Sequence, residues 1–105
     1  MNILVISDNE NSGLIKQLNK KKAVPIIRRT IIAAMDILRH QDINSIIFDK
    51  QHRHIDVLEF ILNVRDIDRK VPIYVPQEFL ENENWSKVMI QGWVKPLNKD
   101  LALFN

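Results

Sequence analysis

Ile3 to Ile6 form an unbroken apolar run that ends in the polar cluster Ser7-Asp8-Asn9-Glu10-Asn11-Ser12-Gly13. A short run of this kind, closed by loop-forming residues, predicts a strand buried on both faces and followed by a loop. Ser12 stands where a helix N-cap belongs, and Leu14, Ile15 and Leu18 then make one apolar stripe before Lys20-Lys21-Lys22. That predicts a first helix whose cations complement the dipole at its carboxyl end. Ala23 to Ile27 is the second strand. Its Pro25 has no N–H to give to a sheet ladder, which suits an edge strand better than a central one. From Thr30, Ile31, Ala34, Met35 and Leu38 recur at helical spacing and Arg39 and His40 close the last turn, so a second helix follows.

The same cycle then repeats. Ser45-Ile46-Ile47-Phe48 is a third buried strand stopped by Asp49, and Val57, Leu58, Ile61, Leu62 and Arg65 mark a third helix for which Asp56 is the expected N-cap. Pro72 to Val75 reads as a fourth strand, Glu78 to Asn84 as the most loop-like segment, Trp85 to Ile90 as a short fourth helix, and Trp93-Val94 as a fifth strand. Asn98 could cap a fifth helix, although only Leu101, Ala102, Leu103 and Phe104 remain to build it. Five strands alternating with helices predict a parallel sheet covered on both sides, a doubly wound α/β fold.

Composition narrows this picture more than it extends it. At 105 residues the chain supports one core, so residues 1–105 are expected to form a single domain. An apolar fraction of 46% with only two glycines and four prolines excludes a disordered chain. The absence of cysteine removes disulfides, thiolate metal sites and cysteine nucleophiles, and it is compatible with a reducing, cytoplasmic location. The opening Met1 to Ile6 has no basic leader and its apolar run breaks at Ser7, so neither a signal peptide nor a membrane span is expected. A net charge of +2 lacks the concentrated basic face of a nucleic-acid binder, and Lys20 to Lys22 and Arg28-Arg29 read as solvated faces. His52 and His54 make an H-x-H pair, but with no third ligand at a telling spacing they read as exposed loop residues.

In open parallel sheets, ligands bind outside the carboxyl ends of the strands, near the point where strand order reverses. The polar residues expected there are Ser7 and Asp8 after strand one, Asp49 after strand three, Gln77 after strand four, and Lys95 with Pro96 after strand five. Two carboxylates near an ammonium make a small hard site suited to magnesium and phosphoryl oxygens, and one of the aspartates could act as a nucleophile.

These residues carry a resemblance. Ile3 to Glu10, Ile46-Ile47-Phe48-Asp49, Asp56 seven residues after Asp49, and Trp93-Val94-Lys95-Pro96-Leu97 are similar, in order and spacing, to the successive signatures of response-regulator receiver domains over nearly the whole chain. The resemblance implies a flavodoxin-like (βα)5 fold with a truncated last helix and a role in two-component phosphorelay signalling. It makes Asp49 the phosphoacceptor, with no turnover activity of the domain's own. Magnesium would be held by Asp8, Asp49 and the backbone carbonyl of Gln51, and Lys95 would contact the phosphoryl group. It also implies a histidine kinase or another signalling protein as partner, and a possible homodimer through the face of the expected fourth helix and fifth strand.

The departures bear on the same site. Ser7 stands where the family has a second acid, which removes one charge and weakens magnesium binding. Pro76 or Gln77 replaces the strand-four hydroxyl, Arg53 and Val57 replace a proline and a glycine, and Trp93 takes the aromatic switch position. The alternative expectation is therefore a degenerate pseudo-receiver that works as a phosphorylation-independent protein-interaction module. An unrelated small flavodoxin-like binding protein is the third, although the chain lacks a glycine-rich phosphate loop.

Overall fold

The computed structural model describes residues 1–8, 13–49, 54–81, 92 and 94–97. Within them run β1 (Asn2–Ser7), α1 (Gly13–Lys20), β2 (Val24–Arg28), α2 (Ile31–His40), β3 (Ser45–Asp49), α3 (His54–Ile67), β4 (Ile73–Val75), α4 (Gln77–Leu80) and β5 (Val94–Pro96). All five strands are parallel, in the order β2-β1-β3-β4-β5. β2 is an edge, and its Pro25 lies opposite Ile3, so the missing N–H costs the interior ladder nothing.

Alternation along the strands sorts the core into two layers. Leu4, Ile6, Ile46, Phe48, Ile73, Val75 and Val94 point to one face, where α2, α3 and Phe79 of α4 cover them. Phe48 is fully buried there, with its ring centroid 5.9 Å from Phe60 and 6.4 Å from Phe79. Ile3, Val5, Ile47 and Tyr74 point to the other face, against Leu18 of α1 and Ala23. The described helices therefore lie on both sides of the sheet, as the alternating pattern predicts.

Local chemistry sets the element ends. The Oγ1 of Thr30 accepts a hydrogen bond from the Ala33 N–H at 3.1 Å and caps α2, whose buried Ala34, Met35, Ile37 and Leu38 form its core stripe. α1 ends where Lys22 takes φ 60°, and the N–H groups of Ala23 and Lys22 donate to the carbonyls of Leu18 and Asn19. This is a Schellman closure with lysine in the position glycine favours, and Ala23 and Leu18 pack together across it. Beyond α3, the Oδ1 of Asp68 accepts from the N–H groups of Lys70 and Val71 and turns the chain toward β4.

Several boundaries depart from the sequence pattern. α3 starts at His54, so Asp56 is a first-turn acid facing the positive end of the helix dipole and not the N-cap. The chain from Gln77 to Leu80 is helical where a loop is expected, because Pro76 occupies the N-cap and Phe79 is buried beside Phe48. β4 begins one residue later than expected, at Ile73, and β5 runs through Val94–Pro96 because the register with Ile73–Val75 continues there. The helix expected over residues 85–90, the tail from residue 98, and His52 lie outside the described residues.

Candidate functional site

Strand order reverses between β1 and β3: the chain leaves β1 for the edge strand β2 and returns on the far side of β1 to build β3. A crevice at the carboxyl ends of two such strands is the expected ligand position in an open parallel sheet. Ser7 and Asp49 are Cα partners at this point, the last register pair of the two central strands. Both follow Val5 and Ile47 by two residues, so they share the face of the sheet that α1 covers. Ser7 is 1% exposed, Asp49 is partly buried, and Asp8 emerges exposed one residue beyond. None of the three is without an interaction partner.

The sheet register places the remaining expected residues less evenly. Ile47 lies opposite Tyr74 and Tyr74 opposite Lys95, so Lys95 is on the same face as Asp49 but two strands away and one residue pair lower. Strands about 4.8 Å apart and a rise of about 3.3 Å per residue separate the two Cα atoms by about 12 Å. An extended lysine stem reaches about 6 Å. A direct Lys95–Asp49 ion pair is thus at the limit of reach, while a phosphoryl group carried on Asp49 would shorten the gap. Lys95 itself is exposed on the edge strand. Gln77 does not extend β4: it opens α4 and is exposed, one residue past the point where the register would set Pro76 level with Asp49. Gln51 and Trp93 lie outside the described residues.

Two neighbours of this site come into view only through the register. Tyr74 stands level with Ile47 and Lys95, packed among Ile3, Val5, Leu18 and Ala23 and 7% exposed. Burial there raises its phenol pKa above the usual value, since the charged form is the poorly solvated one. Leu97, two residues past Lys95, packs on the same layer, and its N–H donates to the Val75 carbonyl at 2.7 Å. The apolar run Ile73 to Val75 marks Tyr74 as strand but does not say which β5 residue it meets.

A hard divalent cation fits the donor set in kind: magnesium is held in proteins by one or two carboxylates plus water and phosphate oxygens, and Asp8 and Asp49 supply two carboxylates. Among the described residues, no three His, Cys, Asp or Glu side chains cluster as a self-sufficient metal site. The phosphate must therefore complete any coordination. Among the described residues, no helix is long and apolar enough to cross a membrane.

No family model, curated protein or solved structure matches the chain.

Proposed function

We propose that the chain is a receiver-like signalling domain in which Asp49 accepts a phosphoryl group from a histidine kinase. The observation that carries this is the Ser7–Asp49 pairing at the switch point, which brings an aspartate on β3 and the Asp8 that follows β1 to neighbouring strand ends. The strand order 2-1-3-4-5 supports a flavodoxin-like fold, whose ligand crevice lies at this β1/β3 boundary. In the transfer, a carboxylate oxygen of Asp49 attacks phosphorus, the new P–O bond forms as the N–P bond of phosphohistidine breaks, and the imidazole leaves with its electron pair to be reprotonated. A bound magnesium ion would neutralise charge on the phosphoryl oxygens, with Asp8, Asp49 and the Gln51 carbonyl to hold it. Lys95, approaching from the edge strand, would pair with an oxygen of the transferred group. The domain would then act by a change of surface in the cytoplasm and would not turn over a substrate.

A second reading is favoured by Ser7, which is buried level with Asp49 where a further acid would strengthen cation binding. In it the domain is a pseudo-receiver whose surface contacts a signalling partner whether or not Asp49 is modified.

Incubation with a small acyl phosphate or phosphoramidate and magnesium separates the two. The first predicts a single phosphoryl adduct by intact mass, lost in Asp49→Asn and much reduced in Lys95→Ala. An unmodified protein at saturating donor, with tryptophan fluorescence unmoved by millimolar magnesium, overturns the first and leaves the second.

A further inference from the structure

A groove of about 550 Å³ runs between α2 and α3 on the thickly packed face of the molecule, away from the strand-end site. Met35 and Phe60 form its floor, and Ile32 stands on its lip at 83% exposure, the most exposed of the large apolar side chains among the described residues. α2 joins β2 to β3 and α3 joins β3 to β4; both pack on the same layer, so topology makes them run in the same direction. Their amino ends therefore lie together. Asp56 and Glu59 are in the first two turns of α3, and Arg39 is in the last turn of α2, about 10 Å along the axis from Ile32. One end of the groove is acidic, the other basic, and the middle is apolar.

A surface with that distribution complements itself. A two-fold axis through the middle of the groove sets the helices of two copies antiparallel, so each Arg39 meets the other's Glu59 and each Ile32 covers the other's apolar floor. An unrelated helical partner would need its own matched dipole of charge, whereas a second copy has one by symmetry. We propose that the α2–α3 groove is a homodimer interface of this chain, with Ile32 as its apolar anchor and Arg39–Glu59 pairs fixing the antiparallel register. This interface is separate from any contact through β5, and it does not depend on the phosphoryl-transfer proposal.

Sedimentation velocity of the full chain from about 10 μM to about 1 mM in low salt tests it. The expected result is a concentration-dependent rise from monomer to dimer mass, weakened at least tenfold by Ile32→Asp. Because Ile32 contributes little to the core, the variant should keep the wild-type circular dichroism and melting temperature. Arg39→Glu and Glu59→Arg should each weaken the dimer, and the double variant should restore it, since exchanging both charges preserves the two-fold match. A chain that stays monomeric throughout, a dimer indifferent to Ile32→Asp, or single charge variants that the double variant does not rescue would each overturn the proposal.

Discussion

The two faces of the sheet are built from the same strands and bury very different amounts of apolar surface. On one face, seventeen buried residues from all of the central strands and from α2, α3 and α4 form a continuous layer. On the other, six described residues, from β1, β3, β4, α1 and the turn after it, form a thin patch. The residues with candidate chemistry, Ser7, Asp49 and Lys95, all project on the thin side. The thick side supplies the hydrophobic stabilisation that holds strand register, and the thin side can then present polar side chains at its rim without forfeiting the core.

The sharpest way to break this contrast is a matched pair of truncations. Phe48→Ala removes a ring stacked between Phe60 and Phe79 and should cost about 3–5 kcal/mol in urea denaturation, whereas Leu18→Ala on the thin side should sit near the low end of about 2–5 kcal/mol. Equal losses would mean the two layers are equally important to stability.

Ser7→Asp probes the rim next. A carboxylate placed at a buried position beside Asp49 should lower stability by about 1–3 kcal/mol without metal, and millimolar magnesium should recover much of the loss. A loss that magnesium leaves untouched would argue that the rim does not bind cations.

Lys22→Gly should act in the opposite sense. Its φ of 60° is strained for a side chain bearing Cβ, so glycine should raise stability by about 0.5–1 kcal/mol, read as a higher melting temperature.

The smallest effect is expected from Tyr74, the chain's single tyrosine. Its folded pKa lies above the unfolded one, so the native state holds the proton longer. This contribution to stability is complete below the ordinary tyrosine value of about 10 and is lost as pH rises through the folded pKa. Ultraviolet titration should show phenolate appearing late and together with alkaline unfolding. A normal, independent titration would place Tyr74 outside the packed patch.

How much of this was legible beforehand varies by residue. Thr30 as the cap of α2, Pro25 on an edge strand and the apolar runs of β1 and β3 follow from local rules, because capping, the missing proline N–H and burial on both faces leave marks within a few residues. Asp56 and the helix at Gln77–Leu80 were misread for the converse reason. A carboxylate serves equally as N-cap or first-turn residue, and Phe79 gives no sign within a polar stretch that Phe48 waits to receive it. Of the candidate site, the strand-end positions of Asp8 and Asp49 could be read directly, while the distance to Lys95 could not.

Alternating apolar runs and helical stripes by themselves determined that this chain forms parallel strands with covering helices, since burial periodicity is a property of each segment alone. Which strand lies beside which, that Ser7 faces Asp49, and that Lys95 falls one pair lower with Tyr74 between them were decided only when the strands met. Register is a relation between segments far apart in the chain, fixed by how two sheet faces with unequal apolar loads bury together, and no single segment encodes it.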